Sequence, residues 1–425
     1  MSTIDEGIDE AMAAMGRRAR VASRAALALS RSDKDRALLA MADGIRGSER
    51  AILAANAEDV DEARAAGTSG ALLDRLTLDG ARVASIASAV RAIAALADPV
   101  GETIPNSEAT MPSGIRVRRV RVPIGVIAMI YEARPNVTAE ASALCLKAGN
   151  AVVLRGGSEA RRSNAALAAV IADALESAAY PTDAIQIVPF TDRDAIRILL
   201  RQTETIDLAI PRGGEALIRF VTEHARVPVV QHYQGVCHLY VDGGADVAKA
   251  IALAVDGKLE RPGVCNATEC LLVDAGDAAR LLPPIARALL DGGCELRGDE
   301  RVRAIVPDAK SATEADFGHE FLDKVLAVRI VGGIDGALAH VARYGSGHTE
   351  AICTESAAHA ERWRREIDAA CVIVNASTRF HDGGELGLGA EIGIATSRLH
   401  WRGAMGLEAL TTNKWIVDGD GQVRG

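Results

Sequence analysis

The sequence predicts an α/β fold built from two successive doubly wound domains. Three observations favour it. From residue 123 onward, short apolar runs alternate with helical stretches; a second such series begins near residue 235; and 425 residues are too many for one compact core. A run without polar alternation is typical of a strand buried on both faces. Strands that alternate with helices indicate a parallel, doubly wound sheet.

The elements follow in order along the chain. Residues 5–100 are predicted to be helical, because apolar residues recur every three and four positions. SGIRVRRVRVP (113–123) alternates apolar residues with arginines and predicts a strand with one wet face, shifted by one residue at 118–119. The buried strands of the first series are GVIAMI (125–130), AVVLR (151–155), IQIV (185–188) and IDLAI (206–210). Those of the second are CHLYV (237–241), CLLV (270–273), VLAVRIV (325–331), AICT (351–354) and CVIVN (371–375). ALTTNKWIVDGDGQVR (409–424) predicts one last strand and a loose end.

Composition and charge exclude several classes of function. A formal net charge of −9 argues against a general nucleic-acid or membrane-surface binder, and the basic run at 113–123 is better explained by a solvated strand or a subunit contact. No stretch approaches the ~18 apolar residues that a membrane span needs. The first 20 residues lack the apolar region of a secretory signal, so a cytoplasmic location is expected.

The cysteines favour a reduced protein. There are seven, widely spread and without CxxC spacing, and no His cluster completes a zinc site in the sequence. We therefore expect neither a disulfide framework nor a structural metal, and reduced cytosolic thiols fit better.

One cysteine stands apart in the stretch RPGVCNATE (261–269). Pro262 and Gly263 break regular structure just before Cys265, so this sulfur is expected on a loop that faces a ligand. For an arbitrary cysteine, a packing role is the commoner explanation. Cys270, inside the next apolar run, is expected to be such a packing residue.

Glycine turns follow two strands of the first series. The P-loop pattern and GxGxxG are both absent, and GLGAEIG (387–393) has the wrong spacing. AVVLR is followed by GGSEARRSN (156–164), with arginines at 155, 161 and 162, and IDLAI is followed by PRGG (211–214). A solvated helix start would explain the first turn alone. Two glycine turns at carboxyl ends of strands favour a nucleotide site.

The segment KLERPGVCNATECLLV (258–273) resembles the nucleophile segment of the gamma-glutamyl phosphate reductases, also called glutamate-5-semialdehyde dehydrogenases. Other segments resemble that family in the same order: MIYEARPNVT (129–138), VVLRGGSEA (152–160), IPRGG (210–214), QGVCHLYVD (234–242), YGSGHTEAI (344–352) and NASTRFHDGGELGLGAEIG (375–393). The family belongs to the aldehyde dehydrogenase superfamily. The resemblance implies an aldehyde dehydrogenase-like fold with a small oligomerisation β-arm. The expected domains are an NADP-binding domain (1–103 and 123–235), a catalytic domain (236–405) and the arm (104–122 and 406–425).

The resemblance also implies site residues. Cys265 matches the nucleophile, and Asn136 matches the asparagine whose amide stabilises the oxyanion together with the Cys265 backbone N–H. A turn residue after Pro135 is the alternative for Asn136. Glu320 falls where a carboxylate binds the nicotinamide ribose, although an exposed helical glutamate would look the same. The expected cofactor contacts are Arg155, Gly156, Ser158, Gly213, Gly214 and Glu320.

Two departures from ordinary aldehyde dehydrogenases carry chemical meaning. Members that make acids use a glutamate to activate water, but the matching stretch QHYQGVCHLYV (231–241) has no carboxylate before Asp242. Water attack should therefore be slow, which favours an acyl-phosphate partner. Where NAD-preferring members carry a glutamate after the strand, the alignment places Ser158, flanked by Arg155 and Arg161, with Glu159 one register away. Arginine attracts a 2′-phosphate, so NADPH is favoured.

The reaction implied is reduction of L-glutamyl 5-phosphate to L-glutamate 5-semialdehyde. Arg134, His348 and Arg379 lie in the matched loops and are candidate anion binders, with structural roles as the alternative for each. A homo-oligomer is expected, and a contact with glutamate kinase is considered. Two other functions stay open, namely a hydrolysing aldehyde dehydrogenase and a catalytically silent nucleotide-binding partner of glutamate kinase.

Overall fold

The structure is a computed structural model that describes residues 3–68, 70–231 and 233–424. The chain divides into two compact units. The first comprises Met1–Gln231, Leu388–Gly393 and Met405–Gly425, and the second comprises His232–Gly387 and Ile394–Ala404.

The first unit begins with helices, as the apolar periodicity predicts. Its helices are α1 (Thr3–Ala26), α2 (Arg31–Gly47), α3 (Glu49–Ala65), α4 (Gly70–Leu76), α5 (Gly80–Ala95), α6 (Pro135–Lys147), α7 (Arg161–Ser177), α8 (Arg193–Leu199) and α9 (Glu215–His224). The start of α2 shows why helices begin where they do. Ser30 accepts a hydrogen bond from the Asp33 N–H, and the Asp33 carboxylate accepts one from the Ser30 N–H. This capping box satisfies backbone donors at the helix start.

A four-stranded parallel sheet forms the core of this unit. Its strands are β3 (Val126–Tyr131), β4 (Ala151–Arg155), β5 (Ile185–Ile187) and β6 (Leu208–Arg212), and β1 (Ala109–Thr110) and β2 (Arg116–Pro123) precede them in the chain. The strand order is β5-β4-β3-β6. All of β3 and β4 is buried, as expected for strands covered on both faces. The order reverses between β3 and β6, so the crevice at their carboxyl ends is the favoured ligand position.

The second unit is built on a seven-stranded parallel sheet. Its strands are β7 (Cys237–Val241), β8 (Thr268–Asp274), β9 (Glu295–Gly298), β10 (Lys310–Ser311), β11 (Val325–Val331), β12 (Thr349–Cys353) and β13 (Cys371–Val374). The order is β10-β9-β11-β8-β7-β12-β13. Its helices are α10 (Val247–Leu259), α11 (Ala278–Asp291), α12 (Glu300–Ile305), α13 (Gly333–Tyr344) and α14 (Ala357–Glu366). The sequence did not predict β9 and β10, which lie at the sheet edge.

The remaining strands belong to small sheets. Near the end of the chain, β14 (Gly393–Ala395) pairs with β15 (Gly403–Met405), and β16 (Thr411–Asp418) completes an antiparallel sheet of order β1-β2-β16. Lys414 stands opposite Val120 in this pairing, and the guanidinium of Arg119 lies 5.6 Å above the Trp415 ring. The basic run thus forms a strand, as predicted, and this sheet is built from the segments that the resemblance assigns to the arm.

The compact units differ from the expected domains by a few residues at the boundaries and, more substantially, in two segments. The strands of the arm fall within the first unit rather than apart from it, and residues 388–393 also group with the first unit although the sequence assigned them to the catalytic domain. None of the described helices is both long enough and apolar enough to cross a membrane.

Candidate active site

Cys265 lies in a turn that separates α10 from β8. The helix ends at Leu259, the turn is closed by a 3.1 Å hydrogen bond from the Ala267 N–H to the Val264 carbonyl, and β8 begins at Thr268. Because β8 is one strand of a parallel sheet, the turn lies at the amino end of that sheet. Cys265 is half-buried. Partial exposure is what a thiol needs if a small molecule is to reach it.

The backbone of Cys265 packs against the segment that leads into β7. A Cβ placed on Gly235 would stand 2.1 Å from the Cys265 carbonyl oxygen, so the two backbones meet at a distance that only glycine allows. The Cys237 thiol, two residues further on, donates a 3.2 Å hydrogen bond to the same carbonyl oxygen. The Cys265 turn is therefore fixed from one side.

Asn266 fixes the turn from the other side. Its Nδ2 donates to the carbonyl oxygens of Arg379 and His381, at 3.2 and 3.1 Å. The Arg379 guanidinium in turn donates to the Asn266 side-chain oxygen, and its Nε lies 3.4 Å from Oε2 of Glu260. The loop after β13 is thereby tied to the residue that follows Cys265.

A row of buried polar side chains extends behind the turn. The Cys237 sulfur lies 3.5 Å from Nδ1 of His348, which lies 2.7 Å from the Thr349 hydroxyl, which lies 2.8 Å from Nδ1 of His381. Burial raises the pKa of the Cys237 thiol and lowers that of His381 to about 4. His348 is fully enclosed within its unit. The expectation that it binds a substrate anion is therefore not supported, because such a side chain must be accessible.

Two carboxylates of neighbouring segments are already bonded. Asp242 directly follows β7, at the carboxyl end of the sheet, and accepts hydrogen bonds from Tyr240 and Thr354 at 3.0 and 2.6 Å. Glu269 forms a buried 2.6 Å ion pair with Lys258, and burial raises the pKa of Glu269 to about 7. Neither is placed as an unengaged base beside the Cys265 turn.

Glu320 lies outside any helix. It follows a short 3₁₀ helix (Glu314–Gly318) in an irregular half-buried stretch. The alternative of an exposed helical glutamate is therefore wrong.

The charged residues in the turn after β4 make different contacts. Arg155 is buried, and its guanidinium donates to the carbonyl oxygens of Gly156 and Thr191 at 3.0 and 2.5 Å. The Glu159 carboxylate accepts a 2.5 Å hydrogen bond from the Ala133 N–H. Ser158 is exposed. Of the arginines named in the sequence, Arg162 forms ion pairs with three acids of α3 and Arg161 is exposed at the start of α7.

The glycines at these turns serve close packing. A Cβ on Gly156 would stand 2.2 Å from Nδ2 of Asn164, and one on Gly213 would stand 2.4 Å from Oε2 of Glu132. Gly214 caps α9, and its N–H donates to the same Glu132 oxygen at 2.8 Å. This carboxylate lies at the carboxyl ends of β3 and β6, where the strand order reverses.

Asn136 is a helical residue, in the first turn of α6 after Pro135. Its Nδ2 donates a 3.2 Å hydrogen bond to Oε1 of Glu140, one helical turn further on. Burial raises the pKa of the Glu140 carboxyl. Arg134 is the N-cap residue of the same helix.

Comparisons with known proteins agree with this architecture. A family model described as "Aldehyde dehydrogenase family" matches residues 2–291. The gamma-glutamyl phosphate reductase of Sorangium cellulosum is 59% identical, with 100% of this chain and 99% of the relative covered. That of Anaeromyxobacter sp. (strain K) is 58% identical over 85% of each chain. The crystal structure of the Thermotoga maritima gamma-glutamyl phosphate reductase superposes with a TM-score of 0.95 at 43% identity, covering 97% of this chain and 100% of that one.

The chain belongs to the aldehyde dehydrogenase family, and within it to the gamma-glutamyl phosphate reductases. It is accordingly an oxidoreductase of a family that uses a nicotinamide cofactor. Several residues that hold the Cys265 turn were not predicted from the sequence, namely Gly235, Cys237, Asn266, Thr349 and His381. Their motifs were recognised, but their pairing depends on strands that are distant in the chain.

Proposed function

We propose that this protein reduces L-glutamyl 5-phosphate to L-glutamate 5-semialdehyde and inorganic phosphate with NADPH, in the synthesis of L-proline from glutamate. The observation that carries the proposal is the Cys265 turn. It holds a half-buried thiol between two anchored segments, and the stretch that supplies a water-activating glutamate in acid-forming relatives has none. The names of the relatives support the substrate.

The chemistry begins with the Cys265 thiolate. It attacks the acyl carbon of the substrate, a carbon–sulfur bond forms, and the carbon–oxygen bond to phosphate breaks, which leaves a thioester. We assign Asn136 and the Cys265 backbone N–H to the developing oxyanion, on the strength of the resemblance. After reduction, the thiohemiacetal releases the semialdehyde and restores the thiol. Phosphate is a competent leaving group, so this direction needs no base to activate water.

NADPH supplies the hydride when bound. The first unit offers residues that fit the cofactor, at the carboxyl ends of its strands, where exposed Ser158 and Arg161 stand at the start of α7. The Glu159 carboxylate accepts a hydrogen bond from the Ala133 N–H, which offsets part of its repulsion of a 2′-phosphate. Arg155 is assigned a structural role here, because its guanidinium bonds backbone carbonyls. Gly156, Gly213, Gly214 and Glu320 remain assigned to the cofactor site by resemblance.

The substrate carries a carboxylate, an ammonium group and a phosphate, so it needs charged anchors of both signs. We retain Arg134 and Arg379 as the candidate anion binders. Both are half-buried. His348 is no longer a candidate anion binder, because its side chain is enclosed in the second unit. A homo-oligomer formed through the arm and a contact with glutamate kinase remain part of the proposal.

The reverse reaction tests this function. Purified protein receives glutamate semialdehyde and NADP, with and without inorganic phosphate, and NADPH formation is followed by absorbance. We expect turnover that requires phosphate and disappears in Cys265→Ala. The matched control is Cys371→Ala, which removes the other half-buried thiol and should retain activity.

Two outcomes would contradict the proposal. Turnover that is indifferent to phosphate would mean that water resolves the thioester, as in a hydrolysing aldehyde dehydrogenase. A folded protein that binds NADP but never turns over would favour a silent partner of glutamate kinase.

A further inference from the structure

Three central strands of the second sheet place a row of chemically active side chains on one face. In the parallel pairing, His238 of β7 is opposite Glu350 of β12 on one side and Cys270 of β8 on the other. A register irregularity between Cys237 and His238 accompanies this arrangement. All three side chains are buried. The proposed reaction assigns no role to any of them.

A fourth residue closes over this row. His340 of α13 is buried, and its Nε2 lies 3.6 Å from the Cys270 sulfur. Its ring centroid is 5.4 Å from that of His238, at an angle of 77°. One ligand atom from each of His238, Cys270 and His340 lies within 4.8 Å of the other two.

His238 is oriented in the way that metal-binding histidines usually are. Its Nδ1 lies 2.8 Å from Oε2 of Glu350, and both residues are fully buried. A carboxylate behind one ring nitrogen fixes the ring and raises the basicity of the other. That other nitrogen, Nε2, is buried and has no hydrogen-bond partner among the residues that the structure describes. A buried nitrogen left in this way is costly, and a bound cation would satisfy it.

We propose that His238, Cys270 and His340 form a binding site for a borderline-soft divalent metal ion of the zinc class, with Glu350 as the outer carboxylate. Two imidazoles and a thiolate are preferred zinc ligands. The Cys270 thiolate and the Glu350 carboxylate together balance a charge of +2. Around a tetrahedral zinc the ligand atoms stand about 3.5 Å apart. The Cys270 sulfur and Nε2 of His340 already have this spacing, at 3.6 Å, and the other separations, which are within 4.8 Å, need to shorten by about 1 Å at most.

The site lies beside an open surface cavity. His340 also lines an open cavity of about 280 Å³, together with Arg329, Gly336, Arg343 and Tyr344. Both arginines lie within 4.0 Å of a Glu314 carboxylate oxygen, which offsets part of their charge at the cavity mouth.

The site would join α13 to the sheet directly behind the nucleophile. His238 is adjacent to Cys237, whose thiol donates to the Cys265 carbonyl. Binding of the ion is therefore expected to stabilise the second unit without taking part in the reaction. The ligands are separated by 32 and 70 residues in the sequence, which is why CxxC and His-cluster spacings do not reveal them.

Cobalt and zinc binding test the proposal. The protein carries Cys265→Ala and Cys371→Ala, which remove the two half-buried thiols as competing ligands, and is treated with a chelator before titration. We expect one equivalent of Co²⁺ to bind with a thiolate-to-cobalt charge-transfer absorption, and Zn²⁺ to displace it. The absorption should be lost with Cys270→Ser and kept with Cys353→Ser, a buried thiol in the same sheet.

A second pair of measurements does not depend on the folding of Cys270→Ser. Glu350→Gln keeps the size of the side chain and should weaken metal binding by about 10- to 100-fold. Zn²⁺ should raise the thermal midpoint of the Cys265→Ala protein, and His340→Gln should abolish that rise.

The proposal is overturned if micromolar Co²⁺ and Zn²⁺ produce neither the absorption nor the thermal shift. It is also overturned if the absorption survives Cys270→Ser, or if it is lost with Cys237→Ser alone. Any of these outcomes would make the row a metal-free polar network. They leave the proposed reduction intact, because that reaction is measured separately by phosphate-dependent NADPH formation.

Discussion

The substitution Gly235→Ala tests whether the contact between the two backbones sets the position of the nucleophile. The added Cβ would stand 2.1 Å from the Cys265 carbonyl oxygen, 2.8 Å from its carbonyl carbon and 2.9 Å from its Cα. All three are backbone atoms, so no flexible side chain can move aside. Real contacts of this kind begin at 3.0 Å, which requires a displacement of about 1 Å between the two segments.

The magnitude follows from this displacement. A shift of about 1 Å in a reacting group costs about 100-fold in rate, which corresponds to about 2.7 kcal/mol in the activation free energy. Overpacking of this kind also costs about 1–3 kcal/mol in the free energy of unfolding. We therefore expect a folded protein with kcat/KM about 100-fold lower than that of the wild type.

The assay is phosphate-dependent NADPH formation, with urea denaturation to measure the free energy of unfolding. Gly263→Ala is the matched control, because it adds the same methyl group two residues before Cys265 with Leu322 O, at 3.7 Å, as its nearest neighbour. This control should remain within a few-fold of the wild type. A Gly235→Ala protein that folds and retains wild-type kcat/KM would refute the reasoning.

Three further predictions concern charge and hydrogen bonding. Lys258→Ala leaves the Glu269 carboxylate buried without its cation, so urea denaturation should show a loss of about 3–5 kcal/mol in the free energy of unfolding, and the double variant Lys258→Met, Glu269→Leu should recover most of it. Burial depresses the pKa of His381 from 6.5 to about 4, so the stability that depends on its neutral form is complete above pH 6.5 and falls by up to about 3 kcal/mol as the pH falls towards 4. The free energy of unfolding should therefore fall less between pH 7 and pH 4.5 in His381→Gln than in the wild type. An equal fall in both proteins would contradict this assignment. Asn136→Ala removes the assigned oxyanion donor and should lower kcat by about 100- to 1,000-fold while NADP binding is kept; a change in KM alone would assign Asn136 to substrate binding instead.

Much of the fold could be predicted because its strands are buried on both faces. The runs that form β3 and β4 are apolar except for Arg155 at the end of β4, so tertiary packing agrees with the local signal. Strand β9, the second strand from the sheet edge, could not be predicted, because ELRG alternates charged residues and is only four residues long. Its outer neighbour β10 has only two residues, so the strands near this edge lack the long apolar runs by which the central strands were found.

The candidate site was predicted to a lesser extent. The Pro-Gly break correctly indicates that Cys265 lies in a turn, because Pro262 and Gly263 themselves set the backbone conformation at that point. His348 was predicted to bind an anion from a loop; it does lie in the loop before β12, which begins at Thr349, but its side chain is fully buried. Its burial depends on β7 and on the loop after β13, and no local signal reports either. The grouping of His238, Cys270 and His340 could not be predicted for the same reason.

The most direct test of the account is a single-turnover measurement without phosphate. Wild-type protein, NADP and glutamate semialdehyde are mixed in phosphate-free buffer, and NADPH formation is followed while the protein is sampled for intact mass. We predict a burst of about one NADPH per active site, a mass increase located on Cys265, and resumed turnover when inorganic phosphate is added. Steady turnover without phosphate, or a burst that leaves Cys265 unmodified, would contradict the central claim that a Cys265 thioester awaits phosphate rather than water.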